Sequence, residues 1–221
     1  NDIDSDGVFF LNMQNGKYHL VITLNELIRI EPTNSMQGAL HTVNHIMIGP
    51  DGENFIFIHR WYKNRRRIER LMHAKKDGSE IRVLAAFGMV SHCFWIDEST
   101  ILSYMRGPGY RDAYWLINTV TGELVRLRLN TIDKYGDGHP HVRGDWFVTD
   151  TYPDKARMQH LFLCNWKTGD FRELGEFFHG FDYNGETRCD LHPRFSPNGK
   201  EIFFDSVFDG CRRLYKLEVK L

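Results

Sequence analysis

Four histidines, His45, His92, His139 and His192, recur in phase along the 221-residue chain, the first three 47 residues apart and the last 53 further on. Each opens a similar phrase. His45 leads to Gly49-Pro50-Asp51-Gly52, His92 to Trp95-Ile96-Asp97, His139 to Gly144-Asp145-Trp146, and His192 to Phe195-Ser196-Pro197-Asn198-Gly199. A residue repeated at the same point of successive sheet-forming units projects into the same place, so these imidazoles are expected to ring one mouth of a central channel. Imidazole ligates metals as a neutral ring and moves protons near neutral pH. Asp190 stands two positions before His192, and in an extended chain the two share a face while Cys189 points the other way. His139, Asp190 and His192 therefore offer three ligands, with His141 in reserve on the face of His139. Imidazole, carboxylate and water suit manganese or another divalent ion, whereas added thiolate suits zinc. The plainer alternative makes the histidines blade-edge hydrogen-bonding residues, Asp190 a partner of turn amides and Cys189 a small buried hydrophobe.

The elements that would position these residues are short strands. Runs rich in aromatic and β-branched residues occur at Gly7–Leu11, Tyr18–Ile22, Asn54–Ile58, Tyr114–Ile117, Asp145–Val148, His160–Leu163, Glu201–Phe204 and Arg213–Leu217. Between them lie turn signals: Asn15-Gly16, Pro50-Asp51-Gly52, Asp77-Gly78, Thr121-Gly122, Thr168-Gly169 and Pro197-Asn198-Gly199. Two hairpins make one four-stranded unit of about 45 to 50 residues, which predicts an all-β protein, a β-propeller with about four to five four-stranded blades. Residues 1–221 form a single propeller domain on this reading, or the C-terminal portion of a larger, seven-bladed ring. The start at Asn1 instead of Met favours a longer parent chain.

With 28 Lys+Arg against 29 Asp+Glu, the net charge of -1 gives no global attraction to nucleic acid or to an anionic membrane surface. The longest apolar runs are a few residues, so no membrane span and no signal peptide are expected. Four cysteines without a CxxC pair read as free thiols, which favours a reducing, cytoplasmic compartment. There is no phosphate-binding glycine-rich loop and no Gly-x-Ser-x-Gly elbow.

The phrases His92-Cys93-Phe94-Trp95, Gly138-His139 and Cys189-Asp190-Leu191-His192-Pro193-Arg194-Phe195-Ser196-Pro197-Asn198-Gly199 resemble the oligogalacturonate lyases and their relatives, from about Gly7 to the C-terminus. The strand and turn repeats are shared with TolB-type propellers. The resemblance implies a channel metal held mainly by histidines, here His139 and His192, with Arg70 as the catalytic arginine and His92 as the base. It also implies an acidic oligosaccharide or polysaccharide as partner, cleaved by β-elimination. The sequence departs from the family where Asp190 replaces a second histidine, and where Thr187, Arg188 and Cys189 stand in place of an expected glutamine. Arg188 to Pro193 and Thr149 to Asp154 are closest to an uncharacterised branch.

Elimination from a uronide removes the proton at C5 beside a carboxylate, so the developing enolate-like charge needs a cation and the proton needs a base. Arginines seize carboxylates through a bidentate fork, which brings in Arg70 and Arg67 from the basic stretch Lys63 to Arg67. That stretch is otherwise a solvated turn between strands. His59-Arg60-Trp61 adds an imidazole, a cation and a flat ring for stacking on sugar, or else a packing cluster; His45 joins them as a candidate for substrate binding. A hydrolytic carboxylate pair could be drawn from Asp133, Asp137, Asp150 and Asp154. The connection from Phe177 to Cys189 breaks the repeat spacing and is a place where function collects. The reading from another class is a non-catalytic glycan- or protein-binding propeller.

Overall fold

The computed structural model describes residues 2–109, 111–129 and 132–221. They fall into two compact units, one of residues 2–90 with returns at 106–109, 111 and 119–122, the other of 91–105, 112–118 and the chain from 123 onward. In the first unit, β1 (Gly7–Leu11) and β2 (Tyr18–Thr23) form a hairpin and α1 (Leu24–Arg29) follows. A four-stranded antiparallel meander comes next: β3 (Leu40–Ile48), β4 (Asn54–Lys63), β5 (Arg66–Lys75) and β6 (Arg82–Gly88). Mainly in the second unit lie β7 (Val90–Trp95), β8 (Thr100–Gly107), β9 (Arg111–Asn118) and β10 (Leu124–Arg126), then β11 (His141–Arg143), β12 (Trp146–Asp150), β13 (Met158–Asn165) and β14 (Phe171–Phe178). A three-stranded sheet of β15 (Arg194–Phe195), β16 (Glu201–Ser206) and β17 (Arg213–Glu218) completes it. These antiparallel meanders are propeller blades, and the fold class read from the repeat is the one observed.

The turn residues named above join β1 to β2, β3 to β4, β5 to β6, β9 to β10, β13 to β14 and β15 to β16. At Asp77-Gly78 the glycine is obligatory: its φ is +83, and a Cβ there would lie 2.4 Å from the Val21 carbonyl oxygen. The basic stretch divides. Asn64 and Arg65, both left-handed (φ 50 and 62), make the tight turn from β4 to β5, whereas Arg66 and Arg67 already belong to β5.

The repeat pattern did not forecast α1. Its signal is local: Thr23 Oγ1 accepts from the Glu26 amide at 3.0 Å and the Glu26 carboxylate accepts from the Thr23 amide at 2.7 Å, a capping box that starts a helix within a strand-rich sequence. Its Leu24 and Leu27 pack with Val8, Ile22, Phe55, Phe57, Met72 and Ala74 in the core of the first unit. In the second unit Val148, Leu161, Leu163, Leu191, Phe195, Ile202 and Phe204 form a core; burying each large aliphatic or aromatic group is worth about 1.5–3 kcal/mol. Leu191 belongs to a connection, not to a strand. Its burial, with its carbonyl accepting from the Asp205 amide at 2.8 Å, anchors the stretch that carries Asp190 and His192. The four cysteines are free thiols. Among the described residues no helix is long and apolar enough to cross a membrane.

Candidate metal centre and base

Strands β3, β7, β11 and β15 are the first strands of their sheets, and each lies at a sheet edge. His92 is in β7, while His139 and His192 sit two residues ahead of β11 and β15. The segment before β11 runs hard against the end of β12. A Cβ on Gly138 would stand 2.0 Å from the Asp150 carbonyl oxygen, so this approach excludes every side chain but hydrogen. It puts the Asp150 carboxylate, fully enclosed, beneath the two histidines. The carboxylate accepts from the His139 amide at 2.7 Å, from His139 Nδ1 at 2.9 and 3.0 Å, and from the His192 amide at 3.0 Å. A carboxylate only accepts, so His139 Nδ1 carries the ring proton and Nε2 keeps its lone pair for a ligand. His192 holds a left-handed backbone (φ 43), a conformation costly for a side-chain-bearing residue and here pinned by Asp150.

The rings of His139 and His192 stack at 3.7 Å, and those of His92 and His139 lie 4.1 Å apart. One ligand atom each from His139, Asp190 and His192 falls within 4.8 Å of the others. Burial lowers the His139 pKa, but the hydrogen bond and charge of Asp150 outweigh it and leave it raised; burial and then the neighbouring His139 lower that of His192. His92 Nδ1 faces Ser91 Oγ at 3.0 Å and Asp137 Oδ1 at 3.5 Å, and Ser91 Oγ donates to Asp137. Asp190 is gripped by Arg188, whose Nε donates to both oxygens at 2.9 and 3.1 Å and whose Nη2 donates at 2.8 Å. The guanidinium carbon lies 4.8 Å from the centre of the Tyr152 ring, itself edge-on to His139 at 5.5 Å.

The donor set of two imidazoles and one carboxylate fits a divalent ion, with Nε2 of His139 freed by Asp150. Cys189 takes no part: its amide donates to His179 Nε2 and its carbonyl accepts from Gln159. The reserve ligand His141 lies elsewhere, packed on Phe94 and Phe195 with Nδ1 accepting from the Phe195 amide at 3.4 Å. Burial lowers its pKa to about 4.

The residues expected to hold substrate belong to the first unit. His45 is exposed at a bulge in β3 with φ 51. His59, Arg60 and Trp61 lie in β4, the second strand of its sheet and not the innermost one. Arg60 pairs with buried Glu69 at 2.5 Å, and Arg67 approaches the same carboxylate at 3.5 Å. Arg70 is 1% exposed. It donates to His59 Nδ1 at 3.1 Å and to the carbonyls of Leu27, Ile30 and Glu31 at 2.7, 2.8 and 3.4 Å, so its guanidinium is occupied in tying down the C-terminal end of α1. Buried in this way, it does not present the open fork expected of an arginine that seizes a substrate carboxylate.

The four carboxylates considered for hydrolysis each have another partner, Asp137 accepting from Ser91 Oγ. Asp150 is sealed under its imidazole, Asp133 pairs with Arg126 at 2.7 Å, and Asp154 accepts from the Met158 amide at 2.8 Å. Asp150, Asp137, Arg188 and Tyr152 are the site residues that spacing did not single out for these roles. For Asp150, Tyr152 and Arg188 the available hint was that they lie in the phrases Thr149 to Asp154 and Arg188 to Pro193, which resemble one branch of the family.

Fold and site together define an all-β propeller that carries an imidazole and carboxylate cluster where successive blades begin. The fold is that of the oligogalacturonate lyase-like and TolB-like propellers. The chain is similar to an oligogalacturonate lyase from Vibrio parahaemolyticus (TM-score 0.65, 20% identity, 95% of this chain and 54% of that one). It is also similar to a TolB-type protein from Agrobacterium tumefaciens (TM-score 0.58, 15% identity, 95% and 65%). A third similarity is to an oligogalacturonate lyase in complex with manganese (TM-score 0.53, 14% identity, 98% and 72%). This chain thus spans about half the length of the Vibrio lyase. No protein-family model and no curated protein matches it.

Proposed function

We propose that the protein is a carbohydrate-active propeller of the uronide lyase type, cleaving an acidic oligosaccharide by β-elimination. The observation that carries this reading is the row of His92, His139 and His192, with carboxylates behind the first two and Asp190 completing a ligand set. His139, Asp190 and His192 would hold a divalent ion, manganese or zinc, both of which accept two imidazoles and a carboxylate. Such an ion, when bound, supplies Lewis-acid stabilisation of the enolate-like charge. His92, whose Nδ1 is engaged by Asp137 and Ser91, would take the C5 proton as general base. The C4–O bond then breaks, the C4–C5 double bond forms, and the departing oxygen takes a proton from the imidazolium or from water. The similarity in fold to two oligogalacturonate lyases, one a manganese complex, supports the choice of chemistry.

Incubation with uronate oligosaccharides and manganese should give products with new ultraviolet absorbance, since elimination leaves a double bond conjugated to the carboxylate. His92→Ala should lower the rate by roughly 10²- to 10⁴-fold with little change in folding. A second reading, a glycan-binding module, draws on the hold of Arg188 on Asp190. It would be favoured if a uronide panel gave no ultraviolet product while the glycans bound equally well to His92→Ala.

A further inference from the structure

We propose that Arg188 is the residue by which this site recognises a carboxylate on its ligand. The inference rests on the uronide reading, and adds to it the residue that would select an acidic sugar over a neutral one.

The neighbourhood of the histidines is rich in negative charge. Asp137 backs His92, Asp150 backs His139, and Asp190 faces both His139 and His192. An anionic sugar needs a cation here that is both fixed and accessible. Arg188 meets both conditions. Its side chain is 47% exposed, and it is clamped twice, by the fork onto Asp190 and by stacking on Tyr152. The clamp uses Nε and Nη2, while Nη1 has no protein acceptor among the described residues. The outer edge of the guanidinium, Nη1 with the second hydrogen of Nη2, therefore presents a planar two-donor fork of the shape a carboxylate accepts. The rotamer entropy of a long side chain is already spent on the Asp190 contact, so a ligand binds a preorganised donor. Because Asp190 is also in the ligand set, a carboxylate on this fork lies next to the ion site. Arg70 and Arg157 differ: Arg70 is sealed against backbone carbonyls and His59, and Arg157 bonds the carbonyls of His179, Gly180 and Tyr183.

The test measures binding of trigalacturonate and of its fully methyl-esterified form to the whole chain, with and without manganese, by calorimetry. The wild type should prefer the acid by roughly tenfold or more, the scale of a charge-assisted bidentate contact. Arg188→Gln should bring the two ligands to near-equal affinity, and Arg188→Lys should recover only part of the preference. The ratio of acid to ester affinity within one sample does not change if part of that sample is unfolded, so a folding defect cannot mimic the result. A wild type without preference, or an Arg188→Gln variant that keeps the wild-type ratio, overturns the inference. If the ratio collapses in Arg188→Gln but no ultraviolet product forms with the wild type, the lyase reading fails while the recognition role stands. If product forms and the ratio is unmoved, the reverse holds.

Discussion

The two units each contain linked histidines, and the difference between them separates a structural use of imidazole from a chemical one. In the first unit the Arg70 Nε–H can only donate, so His59 Nδ1 accepts; His59 Nε2–H then donates to His41 Nδ1 at 2.9 Å, and His41 Nε2–H to the Met36 carbonyl at 3.0 Å. Both nitrogens of both rings are used. Burial first, then the charge of Arg70, hold the His59 pKa down to about 3. In the second unit the partners are carboxylates, which accept and do not donate. Asp150 therefore fixes the His139 proton at Nδ1, leaving Nε2 to act as a ligand. The lesson lies in the partner: an arginine that donates closes an imidazole into the fold, whereas a carboxylate that accepts turns its other nitrogen outward.

The contrast is broken most severely by Arg70→Met. It takes the guanidinium away from His59 Nδ1 and the Ile30 carbonyl and should destabilise the protein by about 2–6 kcal/mol, at 1–3 kcal/mol for each of these two groups, measured by urea unfolding. Folded Arg70→Met chains should still take up manganese. A smaller effect is expected from Asp150→Asn. The amide can donate to His139 Nδ1 and move the ring proton to Nε2, so manganese affinity should fall by roughly 10- to 100-fold in a metal titration. An unchanged affinity would remove Asp150 from the ligand-positioning role.

The smallest effect is on pH dependence. Burial lowers the His73 pKa to about 4, and His59 lies at about 3, both below the 6.5 of a free imidazole. Between those values the unfolded chain binds more protons, so the stability these rings allow is complete above pH 6.5 and is lost as pH falls toward 4 and 3. At pH 6 the loss should be about 0.8 kcal/mol per ring relative to pH 7.5. Stability that rises on acidification through this window would contradict the neutral, closed cluster.

The sequence by itself determined the blades. Alternating apolar strands and Asn-Gly, Asp-Gly and Thr-Gly turns are local codes, because side chains alternate with period two and only certain residues accept a left-handed backbone. It also singled out His139 and His192 by the repeat, and Asp190 by its place two residues before His192. Tertiary structure alone decided what each imidazole does, because that depends on which donor or acceptor arrives from a distant part of the chain. Asp150 reaches His192 across 42 residues, and Arg70 reaches Leu27 across 43. Nothing in the local pattern at Arg70 or Arg188 says that burial will spend the guanidinium of one on backbone carbonyls and leave an edge of the other open to solvent.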